Sequence, residues 1–263
     1  MKPSAMSRWL PAAWLLFWFG AALIAEIFPK TYFEPMLARS LASPDLRHWM
    51  GFDSFGKDLT LLVLRASLTS ASFATASVLV SCAMGVLIGA CIALLPARAR
   101  FLPLRTLDTF LAFPSLLLAL AIAAIRGPGW GTLFASLLIG TLPPFIRLIY
   151  ARSREVLSEP FIEAAESLGA SPGRILARHL VPMLRSICAV KIPTLFAQAL
   201  MAEATLSFLG VGAPIGQETW GSLLASGKDY LFEAPHIAFA AGIPLTLTVL
   251  SLQILSERIL EKR

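Results

Sequence analysis

The stretch ASLTSASFATASVLVSCAMGVLIGACIALLPA, residues 66–97, decides the fold class, because no charged residue lies between Arg65 and Arg98. A helix needs about 20 predominantly apolar residues to cross about 30 Å of bilayer hydrocarbon. We therefore predict a membrane-spanning helix at Leu68–Leu95, which is long enough to tilt. Further charge-free runs lie between Asp108 and Arg126, between Arg126 and Arg147, and between Glu233 and Glu257.

The composition supports a membrane protein. Of the 263 residues, 57% are hydrophobic and 14% are charged, whereas soluble domains carry about 25% charged residues. The net charge of +6 is typical of basic loops on the cytoplasmic side of a membrane, so we expect no nucleic-acid partner. Cys82, Cys91 and Cys188 are interpreted as small apolar residues, since the sequence has no CxxC pair that would indicate a disulfide framework or a zinc site.

The apolar blocks predict an all-α, polytopic membrane protein with six spans. The first block follows Lys2 and Arg8, as in a signal peptide, but Glu26–Pro29 is a poor cleavage region, so we interpret the block as a retained helix. The fifth span is the least regular. The six predicted spans are Trp9–Phe28, Leu68–Leu95, Leu107–Ile125, Thr132–Tyr150, Ala189–Leu209 and Pro235–Leu255.

The distribution of basic residues predicts the orientation. With the N-terminus inside, about 15 of the 22 lysine and arginine residues fall in the inner segments. We therefore expect both termini in the cytoplasm and a multi-pass protein of the cell inner membrane. The longest inner segment, residues 151–186, is then the main cytoplasmic surface.

This inner segment has the pattern of two short helices. We expect Ser158 to cap the first helix, with Pro160 in its first turn, and Gly169 to end it. Phe161, Ala165 and Leu168 are spaced to form one apolar stripe along that helix.

We expect Ser171 and Pro172 to open the second helix, which runs through His179, and Pro182 to stop it. The residues alone leave two interpretations open. The unit is either a solvated amphipathic loop or a rigid element that docks into a groove of a soluble partner.

A resemblance favours docking. Glu163-Ala164-Ala165, followed by Gly169 and by Leu180-Val181-Pro182, resembles the EAA signature of the permeases of binding-protein-dependent ABC importers. The resemblance implies that this loop is the coupling helix, which seats in a cleft of the ATP-binding subunit. It assigns this ATPase-coupling role to Glu163, Ala164, Ala165, Leu168, Gly169, Arg174 and Pro182.

Other segments resemble the C-type permease subunit of the dipeptide, oligopeptide and nickel importers. They are Gly51–Asp58, Asp108–Ser115, Glu203–Gly210, Trp220-Gly221 and Gly227–Tyr230. The resemblance implies the type I importer permease fold, with an N-terminal transmembrane helix and outer loop at residues 1–62 and the permease domain at 63–263. Lys57, Phe52 and the short tail Gln253–Arg263 depart from the family pattern, so the resemblance implies the architecture rather than one exact substrate.

The resemblance also implies the function and the partners. The chain would pair with a homologous permease as a heterodimer, with two cytoplasmic ATPases and an extracytoplasmic solute-binding protein. It would import di- or oligopeptides, with nickel or a metal chelate as the alternative. No G-x-x-x-x-G-K-[ST] motif is present, so we expect a transport subunit without its own ATPase site. We also expect no bound cofactor or metal, because His48, His179 and His236 are far apart in the sequence.

Two polar residues of the fifth span are candidates for lining the pathway. Glu203 either touches substrate or is a structural acid, since ionisable residues within a membrane usually face a bundle interior or a water path. Gln198 either lines the pathway or makes hydrogen bonds between helices. Gly85 and Gly89 form a small-xxx-small pair, which predicts close helix packing.

Two other functions are weaker. A secondary transporter needs ion-coupling acids near the midplane and often an internal repeat, but only Glu203 qualifies and no repeat is visible. An intramembrane protease needs a nucleophile with a base, or paired acids, in the bilayer, and no such pair can be argued from this sequence.

Overall fold

The computed structural model describes residues 5–27, 36–214 and 216–261. Regular structure in these ranges is helical, apart from an isolated antiparallel bridge between Phe52 and Asp58. The helices are α1 (Ala5–Ala25), α2 (Leu59–Leu94), α3 (Phe101–Ala112), α4 (Ser115–Arg126), α5 (Trp130–Leu157), α6 (Pro160–Ser167), α7 (Pro172–Ile175), α8 (Val181–Phe208), α9 (Trp220–Lys228) and α10 (His236–Glu261). The all-α prediction is confirmed for the described residues.

Helix α2 is the longest and begins earlier than its apolar run. Asp58 caps its N-terminus, where the carboxylate accepts a hydrogen bond from the backbone N–H of Thr60 at 2.7 Å. This acceptor satisfies one of the backbone donors that a helix start leaves unpaired. The helix therefore begins at Leu59, about two and a half turns before the predicted Leu68.

Four helices of the described chain are long and apolar enough to cross a membrane. They are α2, α5, the continuous stretch Pro172–Phe208 and α10. A fifth crossing is counted if α3 and α4 together form one span, whereas the apolar part of α1, Trp9–Ala25, is shorter than such a span. The predicted end of the first span, Phe28, lies outside the described residues. Helix length therefore supports four or five crossings, and the count of six stays a prediction.

The third predicted span, Leu107–Ile125, is not one straight helix but a bent pair. Helices α3 and α4 meet at an angle of 86°. The cause is Pro114, whose ring disfavours helical conformation in the preceding residue, and Phe113 is accordingly extended, with φ −95° and ψ 141°. A segment that reads as one apolar run is thus two short helices.

Close packing between α2 and α5 confirms the prediction made for Gly85 and Gly89. A Cβ atom at Gly85 would lie 2.4 Å from Cδ1 of Phe145. A Cβ atom at Gly89 would lie 2.9 Å from both the carbonyl oxygen of Ile146 and Cβ of Ile149. The missing side chains let the two backbones approach.

Hydroxyl groups join the helices in the interior. Ser81 of α2 and Thr141 of α5 share a buried hydrogen bond of 2.6 Å. The Oγ of Ser256 in α10 donates to the carbonyl oxygen of Val190 in α8 at 2.7 Å, and Trp14 Nε1 in α1 donates to Thr248 Oγ1 in α10 at 3.2 Å. Hydrogen bonds of this kind hold helices together where the surrounding lipid offers no polar partner.

Candidate functional site

The surface unit between α5 and α8 begins differently from the prediction. Ser158 does not cap α6, because its Oγ donates to the carbonyl oxygen of Glu155 at 2.7 Å and so stays with the end of α5. The N-cap of α6 is Glu159, with φ −77° and ψ 141°, and Pro160 is the first helical residue. Since proline needs no backbone donor at that position, the helix starts one residue later than a serine cap would give.

The turn at Gly169 is confirmed. Gly169 has φ +81°, in the left-handed region that glycine adopts without steric cost. The N–H of Gly169 donates to the carbonyl oxygen of Glu166 at 2.9 Å, and that of Ala170 donates to Ala165 at 3.0 Å. These two bonds satisfy carbonyls at the end of α6 and reverse the chain sharply.

The second helix opens as predicted but does not end where expected. Ser171 Oγ accepts a hydrogen bond from the N–H of Arg174 at 3.4 Å, and Pro172 is the first helical residue of α7. Pro182 does not stop the helix, because Leu176–Leu180 form a wide π-helical turn that leads directly into α8. A proline ring clashes with the carbonyl four residues earlier, and a wide turn at that point gives the ring room.

The predicted apolar stripe is not the face that packs inward. Ile162 in α6 and Ile175 in α7 are each 2% exposed, whereas Leu168 is 88% exposed. Phe161 is 41% exposed and its ring lies 6.0 Å from that of His179. Ile162 lies between Phe161 and Glu163 in the sequence, and no spacing pattern singles it out as the buried residue.

Most of the predicted coupling residues lie at the surface of this short unit. Ala165 is half-buried, and the other six are exposed: Glu163, Ala164, Leu168, Gly169, Arg174 and Pro182. A surface with an exposed leucine next to charged side chains can bind a complementary cleft, but it holds no catalytic group. Among the described residues, no group of three or more His, Cys, Asp or Glu side chains could hold a metal ion.

Glu203 is placed in a buried polar cluster rather than at an open surface. Its side chain is 0% exposed, and its Oε1 accepts a hydrogen bond from Ser207 Oγ at 2.7 Å. The hydroxyls of Ser70 and Thr219 lie near the same carboxyl group, whose Oε2 has no close hydrogen-bond partner. Ser70 Oγ also accepts from the N–H of Trp220 at 3.1 Å. We call these residues, Ser70, Glu203, Ser207 and Thr219, the Glu203 cluster.

The Glu203 cluster joins three segments of the chain. Ser70 belongs to α2, Glu203 and Ser207 belong to α8, and Thr219 caps α9 by accepting from the N–H of Ser222. An acid beside the N-terminus of α9 also complements the positive end of that helix. This arrangement favours the structural interpretation of Glu203, and the sequence offered no sign of its partners because they are distant along the chain.

The Glu203 cluster leads to a stability prediction. Glu203→Ala leaves the buried hydroxyls without their acceptor, which costs about 1–3 kcal/mol of unfolding free energy. We expect a lower thermal midpoint in detergent, with Glu203→Gln partly preserving it. Gln198→Ala is the control, since Gln198 is exposed on the same helix. Equal midpoints for Glu203→Ala and Gln198→Ala would rule out the structural role.

Gln198 lies on a different face of α8. Met201 and Thr205 follow it at helical spacing, and both line a cavity of about 200 Å³ between α4, α5 and α8 that also includes Ser115 and Ser136. The structure therefore separates the two pathway candidates. Gln198 is accessible, whereas Glu203 is enclosed.

The sequence matches a known family of membrane proteins and named relatives within it. Residues 85–263 match the family described as "Binding-protein-dependent transport system inner membrane component". The chain is 34% identical over 214 residues to a "Putative peptide transport system permease protein" of Brucella suis biovar 1, covering 81% of this chain and 72% of that protein. It is 31% identical over 246 residues to the glutathione transport system permease protein GsiD of Pectobacterium atrosepticum, covering 91% of this chain and 82% of that protein.

A solved structure shares the fold. The MetNI methionine ABC transporter, in inward-facing conformations, gives a TM-score of 0.60 at 19% identity, over 76% of this chain and 95% of the matched chain. The apolar helices and this fold define a multi-pass membrane permease. The chain belongs to the family of binding-protein-dependent transport system inner membrane components and is a permease subunit of an ABC importer in the inner membrane.

Proposed function

We propose that this permease carries small peptides and that ATPase subunits drive it through residues 158–182. The observation that carries the coupling proposal is the burial pattern of this unit together with its connections. Ile162 and Ile175 are each 2% exposed while Leu168 is 88% exposed. Because α6 follows directly after α5 and α7 leads into α8, a push from a docked partner would pass into both long helices.

The proposed step is a rigid-body change of the helices. When the two ATPases close on ATP, their clefts would move the coupling residues Glu163, Ala164, Ala165, Leu168, Gly169, Arg174 and Pro182. The continuous path from α7 through the π-helical turn into α8 would carry that motion into the bundle. The pathway would then alternate between outward and inward access. In this proposal the chain has no ATPase site and binds no cofactor.

The topology that we propose has six spans with both termini in the cytoplasm. Helix α1 would be the first span, and the bent pair α3 and α4 would together form the third. We keep the division into residues 1–62 and a permease domain at 63–263, although α2 begins at Leu59, so this boundary falls within its first turn. The excess of lysine and arginine in the inner segments supports this orientation.

The proposed assembly is a heterodimer with a homologous permease, two ATPases and an extracytoplasmic solute-binding protein. The face of α8 that carries Gln198, Met201 and Thr205 would line the pathway between the two permeases. It is accessible in this chain and it borders the cavity against α4 and α5. The family description names both a binding protein and an inner-membrane component.

Peptides are the favoured substrate class. Relatives that share about a third of their residues with this chain are named for peptide and for glutathione transport, and glutathione is itself a tripeptide derivative. Nickel or a metal chelate is not favoured, since these relatives are named for peptide and for glutathione transport.

Uptake by the reconstituted complex tests this proposal. Proteoliposomes that hold both permeases and both ATPases, supplied with the binding protein, are expected to accumulate labelled di- or tripeptide only when ATP is present. Excess unlabelled peptide should compete, and nickel should not. Uptake driven by an ion gradient without ATP would contradict the proposal, and uptake of nickel without uptake of peptide would contradict the substrate class.

A further inference from the structure

An apolar groove of about 380 Å³ lies between α2, α3 and α5. Aliphatic and aromatic side chains line it, among them Ile88, Ile92, Leu107, Phe110, Leu142 and Ile146. The hydroxyl of Thr106, also in the lining, donates to the carbonyl oxygen of Leu102 at 3.1 Å and is therefore already paired. The groove thus suits a hydrocarbon ligand and not a polar one.

The groove follows one face of α3. Pro103, Thr106, Leu107 and Phe110 line it at intervals of three and four residues, which is about 10 Å along the helix axis. Leu107 is the only residue of α3 that this chain buries, within the described structure. Helix α3 therefore contacts its neighbours over a small area, and the apolar groove extends beside it.

The end of the groove near the α2–α3 turn is positively charged. The turn, residues 95–100, carries Arg98 and Arg100, and it lies between the groove residues Ile92 and Pro103. The Nε of Arg100 is buried and has no hydrogen-bond partner. The nearest acid in the sequence, Asp108, pairs with Arg147 at 3.5 Å.

A third guanidinium lies at the same end. Arg154 of α5 donates from Nη1 to the carbonyl oxygen of Ala93, at the C-terminus of α2, at 3.4 Å. The apolar groove thus ends near several guanidinium groups, one of which has an unpaired buried nitrogen. Such a site matches a ligand with a hydrocarbon tail and an anionic head.

We propose that this groove holds an acyl chain of an anionic phospholipid whose phosphate is bound by Arg98 and Arg100. The phosphate oxygens supply the acceptors that planar guanidinium groups bind well. The acyl chain fills the space beside α3 and adds to the packing that Leu107 and Leu104 provide. The lipid thereby holds α3, and the bend at Pro114, against α5.

Photolabelling tests this site in the intact transporter. The probe is phosphatidylglycerol with a diazirine in its acyl chain, added to the complete complex in phosphatidylcholine nanodiscs. We expect labelled peptides from α3 and α5. Unlabelled phosphatidylglycerol should compete, whereas phosphatidylcholine should not. The double variant Arg98→Gln/Arg100→Gln should lower labelling about tenfold or more, because each basic residue near an anionic surface contributes to binding.

A charge-matched control is Arg178→Gln/Arg185→Gln, since both side chains are exposed and neither lines the groove. It should leave labelling unchanged.

A second test is Leu142→Trp, which fills the groove without a change of charge and should also reduce labelling. Equal labelling in the Arg98/Arg100 variant and the control, or equal competition by phosphatidylcholine, would overturn the proposal. So would cross-linking of a photoreactive residue at position 110 to the partner permease, since the groove would then be a protein interface.

Discussion

Gly169→Asp is expected to abolish ATP-driven uptake while the chain still inserts and folds. Gly169 has φ +81°, and a side chain in that conformation costs about 1–2 kcal/mol. No atom lies within 4 Å of the position that a Cβ would occupy, so the substitution creates no steric clash with the rest of the protein. The new carboxylate and the strained turn instead alter the surface between Leu168 and Arg174 that we propose as the ATPase contact.

The measurement compares uptake, ATPase co-purification and thermal midpoint in the same preparation. We expect uptake to fall to background and ATPase association to weaken, with a midpoint only a few degrees below that of the unchanged protein, as about 1–2 kcal/mol of strain implies. Glu163→Lys should act in the same way, because it reverses a charge on the same exposed surface. Glu261→Lys, at an exposed position at the end of α10, is the control and should keep its uptake. Normal ATPase recruitment by both loop variants would refute the docking proposal.

Gly89→Val is expected to prevent the protein from folding correctly. The Cβ of valine would lie 2.9 Å from the carbonyl oxygen of Ile146, and backbone cannot move aside as a flexible side chain can. Overpacking of this kind costs about 1–3 kcal/mol or more. We expect a severe loss of folded protein. A folded domain has only about 5–15 kcal/mol of stability, and α2 packs against α5 through this contact.

Yield of monodisperse protein after extraction checks this prediction. Gly89→Val should give aggregated or degraded chain, and Gly85→Val should do the same, because its Cβ would meet the ring of Phe145. Gly20→Val introduces the same side chain into α1, where nothing lies within 4 Å of the Cβ position, and should give folded protein. If Gly89→Val yields as much folded protein as Gly20→Val, then α2 and α5 do not approach closely at Gly89.

The sequence predicts elements that depend on local physics. Charge-free runs predict α2, α5 and α10, because length and apolar content alone determine whether a helix can cross lipid. The turn at Gly169 and the cap at Ser171 also follow from single residues whose backbone preferences are strong. The family resemblance at Glu163-Ala164-Ala165 identifies the class of protein, which the matched family then shows.

Other features depend on competition between residues, and there the sequence misleads. Pro114 and Pro182 are both prolines in helical surroundings, but the first breaks a span by 86° and the second is accommodated by a π-helical turn. Ser158 has two acceptable hydrogen-bond partners and takes the carbonyl of Glu155. Proline and serine rules alone do not decide between these outcomes.

The buried side of the coupling unit and the Glu203 cluster depend on contacts between distant parts of the chain. Ile162 is 2% exposed, although no local pattern in the sequence marks it as the buried residue of α6. Ser70, Glu203 and Thr219 meet across three segments of the chain. Such clusters become visible only when the helices are packed.

Cross-linking from Leu168 tests the proposed coupling most directly. A photoreactive amino acid at this position, 88% exposed on the coupling unit, is expected to cross-link to an ATPase subunit in the assembled complex. The same amino acid at Leu102, which is 72% exposed on α3, should not. A cross-link from Leu168 to the ATPase that changes in yield between ATP-bound and nucleotide-free complexes is the predicted result. Absence of any ATPase cross-link from Leu168, in a complex that transports normally, would contradict the account.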